Sequence, residues 1–314
     1  MTATAYKAGS NLEKILSEGK FAVTGECGPP KSADGTVIEE KAKILKGFVD
    51  AVNITDNQTA VVRVCSMASG IQAQQNGLEA IMQMTCRDRN RLAMQADILG
   101  ASILGIKNIL CLTGDHMSFG NHPQAKGVHD LDAINLIKMY KDMRDESKFQ
   151  CGDEMTVAPK LYIGCAENPF GDPFEFRALR LRKKVEAGAD FVQTQCIFNI
   201  PKFKQWMEEV RALGLHKEVK ILAGITPIKG AGMANYMKKF VPGMDVPQEI
   251  IDRIAAKEKG APQQAEGKAL AVEMIKEIAE VEGVAGVHIM AVEWEPAVPE
   301  IVEKAGLLPR PVLA

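Results

Sequence analysis

The chain has 314 residues, 46% hydrophobic and 25% charged, with a formal net charge of −2. That length admits one large α/β barrel or two modest domains, and it can bury enough surface to fold without disulfide or metal staples. The near-neutral balance carries no basic stripe of the kind that binds nucleic acid. The most apolar stretch, 98–112, contains Lys107 and is too short to span a bilayer.

Residues 11–18 read as a short leading helix with Leu12, Ile15 and Leu16 on one face. The first strand, 21–26, is an apolar run that ends in Glu26 and is stopped by Gly28-Pro29-Pro30. A helix at 39–48 leads to a second strand at 50–55 and the polar loop Asp56-Asn57-Gln58. A helix at 69–76, a third strand at 79–84 and a polar loop at 85–90 follow. The amphipathic pattern of 91–103 predicts a helix ending near Gly105. The fourth strand, 108–112, closes on Thr113-Gly114-Asp115, and a long loop runs to His129, with Asp130 as the cap of a helix at 131–143. The fifth strand is placed at 160–165, a basic helix at 174–187, the sixth strand at 191–195 and a helix at 202–212. The seventh strand at 219–223 precedes helices at 231–240, 247–257 and 267–281; the eighth, at 287–291, precedes a closing helix at 298–304.

Nearly every strand is a continuous apolar run, the mark of a parallel sheet covered on both faces. Eight strand–helix units at this length predict an α/β fold of the (β/α)8 TIM barrel type, one barrel domain over residues 1–314. An open doubly wound sheet is the alternative. Seven scattered cysteines, odd in number and without C-x-x-C, point to a reducing, cytoplasmic setting. They also exclude an iron–sulfur cluster held by closely spaced cysteines of this chain. Residues 1–7 lack the basic head and apolar core of a signal peptide.

In a barrel the strand ends share one mouth. Here they are Glu26, Thr55–Asp56, Gln83–Thr85, Thr113–Asp115, Ala166–Asn168, Thr194–Gln195, Gly224–Thr226 and Glu293. The set contains two firm carboxylates, Glu26 and Asp115, and no nucleophile paired with a base. A carboxyl buried against a flat apolar ligand has a raised pKa and serves as a general acid. A second acid in a wetter setting stays charged and steadies a developing cation. The plainer readings are a solvated acid at a strand end for Glu26 and a turn residue for Asp115. His116, His122 and His129 lie in one loop, but their spacing completes no familiar ligand set, so no metal is expected. Arg180, Arg182, Lys183 and Lys184 read as a solvated face, with a phosphate contact as the alternative. Met67, Met82, Met84 and Met94 read as core filler. G-x-G-x-x-G is absent, which argues against a Rossmann-type nucleotide site.

The pieces together resemble methylenetetrahydrofolate reductase, a flavin-dependent (β/α)8 family, from about Phe21 to Pro309. The resemblance rests on G-E-C-G-P-P at 25–30, N-I-T at 53–55, Q-M-T-C at 83–86, T-G-D at 113–115, R-K-K-V-E-A-G-A-D at 182–190, T-Q at 194–195 and G-I-T-P at 224–227. It implies that Glu26 is the general acid and that Asp115 is an acid beside flavin and folate. It further implies that Gln195 positions the pterin, and that Thr55, Gln83, Thr113, Gly114, Ala166, Asn168 and Lys184, with His129 nearby, line the flavin. The chain departs from the bacterial pattern at Cys27, where an aromatic is usual, at Gln83 for His, Thr113 for Arg and Asn168 for Tyr, and at Arg177, where an acid is common. The last two lie toward the flavin's distal half, so the implied cofactor is FAD by family default with FMN as the alternative.

The implied reaction is hydride transfer from flavin N5 to 5,10-methylenetetrahydrofolate, after Glu26 protonates N10 and opens the ring to a cation that Asp115 stabilises. The implied electron donor is NAD(P)H or a zinc/iron–sulfur partner subunit, in an oligomer or a larger complex. Two other readings stand beside it: a pterin-binding barrel methyltransferase without flavin, and a flavin-carrying electron-relay subunit.

Overall fold

Strand and helix alternate around a closed ring in the computed structural model, which describes residues 6–312. Residues 1–5, on which the signal-peptide reading mostly rests, lie outside the described residues. The elements are α1 (Asn11–Ser17), β1 (Ala22–Cys27), α2 (Thr36–Leu45), β2 (Ala51–Ile54), α3 (Ser66–Gln75), β3 (Ala80–Thr85), α4 (Arg91–Ile103) and β4 (Asn108–Leu112). Then come α5 (Ala133–Asp145), β5 (Tyr162–Glu167), α6 (Arg177–Ala187), β6 (Phe191–Cys196), α7 (Ile200–Ala212), α8 (Leu215–Glu218) and β7 (Lys220–Ile225). The chain closes with α9 (Ala231–Phe240), α10 (Gln248–Ala255), α11 (Ala261–Ala279), β8 (Val284–Ile289) and α12 (Val298–Lys304). Each strand pairs in parallel with the next, and β8 returns to β1, so the fold is a (β/α)8 TIM barrel rather than an open sheet.

Several boundaries differ from the sequence reading, each for a local reason. α4 and β4 fall where predicted, with the Asn90 side chain accepting from Ala93 N to start α4. Asp132, not Asp130, caps α5; Asp130 instead receives both the backbone and the guanidinium of Arg91. α3 begins at Ser66, whose hydroxyl donates to Gln83 O across the layer at 2.7 Å. α11 begins at Ala261, with Pro262 in its first turn, before its apolar face appears. β8 begins at Val284 and includes Gly286, where a Cβ would stand 2.4 Å from Ala22 O. The stretch 174–176 is a short 3-10 turn ahead of α6, and α8 was not foreseen.

Side chains alternate between the barrel interior and the helix layer. The lower interior is an apolar plug of Ala22, Ala51, Ile81, Leu110, Tyr162, Phe191 and Leu222, closed from beneath by Leu12, Ile15 and Leu16 of α1. Tyr162 and Phe191 stack at 5.3 Å, and Gly164 makes room for them, since a Cβ there would lie 2.2 Å from the Phe191 ring. The outward residues pack under the helices, with Met82, Met84 and Met94 buried and Met67 packed against them. All seven cysteines are free, five of them buried. Among the described residues no helix is long and apolar enough to cross a membrane.

Candidate active site

β1 places its residues by alternation. Thr24 and Glu26 face the interior, and Cys27 points into the layer beneath the helices, where burial pushes its thiol up to about 12. An aromatic is therefore not needed at Cys27 to line the mouth; the position belongs to core packing. Pro29 and Pro30 end the strand, and the turn is held by Arg63 Nη1 donating to Pro29 O and Val64 N donating to Pro30 O, each at 3.0 Å.

Above the apolar plug lies a polar ring. Asn53 and Gln193 exchange amide hydrogen bonds of 2.6 and 3.0 Å, Gln193 Nε2 donates to Thr24 Oγ1 at 3.2 Å, and Thr24 Oγ1 meets His288 Nδ1 at 3.0 Å. Burial pushes His288 down to about 3, so its ring is neutral at ordinary pH. Glu26 stands over this ring, with Oε2 4.0 Å from His288 Nε2. Among the described residues its carboxyl accepts no hydrogen bond, and 19% of the side chain remains exposed, toward the pocket. Burial raises the Glu26 pKa to about 7, repulsion from Glu295 adds to the rise, and Lys41 and Arg63 partly offset it. Glu26 and His288 are therefore a neutral acid over a neutral imidazole near pH 6, not an ion pair.

A cavity of about 330 Å³ opens above the ring on the C-terminal side of the strands. Of the residues singled out in the sequence, it collects Glu26, Gln83, Ala166, Asn168, Lys184 and Gln195. Lys184 is not on a solvated face: it is buried and paired with Glu167 at 2.7 Å. Arg177 and Arg180 line the same cavity.

The other predicted residues stand outside its lining. Thr55 is buried with its hydroxyl bonded to Gln58. Thr113 is exposed, and its Oγ1 accepts from Ala133 N at 3.2 Å at the start of α5. Gly114 turns with φ +92, its position packed against Arg87 and Thr85. Asp115 is exposed, with Oδ2 accepting from Thr59 N at 3.1 Å. His129 is exposed with φ 43, and its N–H donates to Cys86 O at 3.1 Å. Among the described residues no group of three His, Cys, Asp or Glu is placed to hold a metal ion.

Sequence reasoning missed Thr24, Gln193 and His288, although two-residue steps back from Glu26 and Gln195 lead to the first two. It also missed Arg87, which is 2% exposed and joins the mouth loops by donating to Asn57 O, Asp115 O and Asp88.

The family model described as methylenetetrahydrofolate reductase matches residues 11–306. A Caenorhabditis elegans protein named "Probable methylenetetrahydrofolate reductase (NADPH)" is 25% identical over 94% of this chain and 44% of its own length. The methylenetetrahydrofolate reductase 1 of Schizosaccharomyces pombe is 27% identical over 74% of this chain and 36% of its own. The chain thus spans less than half the length of these two relatives. The 5,10-methylenetetrahydrofolate reductase of Salmonella typhimurium is 25% identical, with 88% of each chain covered. Among solved structures, a Clostridium thermocellum protein described as binding two copies of 5-methyl-5,6,7,8-tetrahydrofolic acid superposes with a TM-score of 0.68. At 14% identity, over 95% of this chain and all of that one, the likeness is one of fold.

Proposed function

The chain belongs to the methylenetetrahydrofolate reductase family, and from that premise we propose that its barrel is the catalytic domain that reduces 5,10-methylenetetrahydrofolate to 5-methyltetrahydrofolate, with Glu26 as general acid. The observation that carries this reading is the state of Glu26: an interior carboxyl without a hydrogen-bond partner among the described residues, with a pKa raised to about 7, lining an open pocket. Such a group holds a proton near neutrality and gives it up to a basic nitrogen brought against it. Protonation of substrate N10 opens the five-membered ring and leaves a cation at the one-carbon bridge. Asp115, on the loop after β4 and outside the pocket's lining, is the proposed electrostatic stabiliser of that charge. Gln195, on the pocket wall, holds the pterin edge and so fixes the distance between the carbon and its hydride source.

The residues present suit a flavin. Leu110, Leu112, Ala166 and Met290 offer apolar wall for a planar ring, Gln83 and Asn168 offer amides at its edge, and Arg177 and Arg180 offer charge for a phosphate. Thr55, Thr113, Gly114 and His129 are proposed contacts from the surrounding loops, and Lys184 acts through its pairing with Glu167. A bound flavin supplies the hydride; FAD is the family default, and FMN suits a tail phosphate beside Arg177. The donor of electrons is NAD(P)H or a zinc/iron–sulfur partner subunit, and the chain acts in the reducing interior of the cell.

Purification without tags that strip cofactor tests the proposal. The expected protein is yellow, and its reduced form is reoxidised by methylenetetrahydrofolate in a stopped-flow cell with 5-methyltetrahydrofolate as product. A protein that takes up no flavin, or whose reduced flavin ignores the folate, overturns it. Mass spectrometry of the same sample identifies the flavin and any co-purifying subunit.

A further inference from the structure

Glu26 borders two cavities. The front one is the pocket described above. Behind it lies a smaller space of about 30 Å³, lined by Gly28, Lys41, Gln58, Arg63 and Glu295, with the exposed Glu293 at its outer edge. That volume is enough for a water molecule, which requires roughly 10–15 Å³ and two to four polar partners. Partners are at hand. Lys41 Nζ sits 2.6 Å from Glu295 Oε1 and donates to Gly28 O at 3.2 Å. Arg63 Nε is buried with no protein acceptor among the described residues.

The Lys41–Glu295 pair joins α2 to the turn before α12, behind the end of β1, where Lys41 reaches Gly28 O. It is also mostly withdrawn from solvent, at 19% and 8% exposed. A surface pair would be screened; this one acts across a polar space that ends on the Glu26 carboxyl. We propose that Lys41 and Glu295 are positioning residues that set the protonation of Glu26 from behind, through the rear cavity. Burial supplies the largest part of the rise; Glu295 disfavours charge on Glu26 and Lys41 favours it, so the pair trims the acid about the level that burial sets. The inference rests on the reading of Glu26 as general acid for its catalytic meaning, and not for its electrostatic content.

Of the other groups around Glu26, only Arg63 acts in the direction of a pair member, beside Lys41. His288 on β8 is neutral, and the Cys27 and Cys196 thiols are both pushed up to about 12 by burial. Arg63 adds a second cation behind the acid, and Glu293 stands at the rim of the cavity.

The test is the titration of Glu26 itself, by carbon-13 NMR of the glutamate-labelled protein, with the resonance assigned by its loss in Glu26→Gln. Glu295→Gln should lower the midpoint by about one pH unit, and Lys41→Met should raise it by about as much, the size of an ordinary near-charge effect. The double variant should return between the two, an outcome that structural damage would not give. Titrations that stay in place, or move the same way in both single variants, overturn the proposal. If one single variant fails to fold, the other still decides: a midpoint that stays in place, or moves opposite to the direction given, overturns the proposal. The pH profile of the folate half-reaction is read separately, and its acid limb should follow the NMR midpoint. A wild type that never reacts with folate counts against the functional reading, while the titrations still decide the role of the pair.

Discussion

At the lower end of the barrel, Asp50 accepts from Val23 N at 2.7 Å and is bridged by Arg310, and Asp190 accepts from Ile163 N at 2.8 Å and from Arg144 at 2.6 Å. Glu79 accepts from the first two backbone N–H groups of α1. At the upper end Glu26 accepts no hydrogen bond among the described residues, and burial holds it protonated near neutrality. The backbone follows the same division. The turns from helix to strand below use glycine for the left-handed conformation, as at Gly19, Gly47, Gly77, Gly105 and Gly283. The loops above place Asn57, Thr59, Ala60, His129 and Glu293 there, residues with a Cβ that disfavours it; Ser147 is the exception below. The lower end pairs these carboxylates and fixes the ring, while the upper end holds an unpartnered acid and strained backbone where chemistry is proposed.

The largest effect should come from taking away the unsatisfied acid. Glu26→Gln keeps the shape and removes the proton, and should slow the folate half-reaction by about 10²–10⁴-fold, the typical share of general acid catalysis. Flavin binding, read from the visible spectrum, should be retained. A rate within a few-fold of wild type in stopped-flow would erase the contrast between the two ends.

Phe191→Ala probes the other end. It empties the plug at the Tyr162 stack, and loss of a buried phenyl ring costs about 3–5 kcal/mol. Denaturant unfolding should show that loss, while the rate per folded, flavin-loaded molecule stays near wild type. A variant of normal stability with a damaged rate would mean that the plug serves the mouth rather than the fold.

The pH dependence of stability separates Glu26 from His288. Glu26 rises from 4.5 to about 7 on folding, so the native state binds the extra proton between those values and stability falls by about 3 kcal/mol as pH climbs through them. His288 falls from 6.5 to about 3, so the unfolded state binds the extra proton and stability is lost as pH drops through that window. Between pH 4.5 and 6.5 the two slopes oppose each other. Glu26→Gln removes one of them. Its stability relative to wild type should therefore rise from pH 4.5 to 7.5, by about 3 kcal/mol, in urea titrations at a series of pH values. A constant difference between the two proteins would mean that Glu26 titrates normally.

Much of the lower end was legible in the sequence. Apolar runs marked the strands, and the amphipathic pattern of 91–103 marked α4 to the residue, with the Asn90 cap seen only in the structure. The mouth was legible only where strands reach it. Glu26, Gln83, Ala166 and Gln195 belong to strands, so alternation decides where they point. Thr113, Asp115 and His129 lie beyond strand ends, on loops whose course depends on the buried Arg87, a residue that local sequence marks only as polar. His288 was concealed inside an apolar run, and Lys41 and Glu295 meet only because the barrel closes.

The smallest predicted effects compare the backbone at the two ends directly. Ala60 has φ 56 on the loop after β2, and Gly19 has φ 71 in the turn between α1 and β1, with open space where a Cβ would stand. A side chain in the left-handed region costs about 1–2 kcal/mol, whereas a glycine adds roughly 0.4–1 kcal/mol of unfolded-state entropy. Ala60→Gly should therefore stabilise the protein by up to about 1 kcal/mol. Gly19→Ala should destabilise it by about the same amount, since no neighbour opposes the methyl and the conformational term stands alone. Opposite signs of similar size in urea unfolding at one pH would show strain held at the mouth and relieved below. If Ala60→Gly also destabilises, the left-handed turn is held by contacts of the methyl group, and the mouth loop is packed rather than strained.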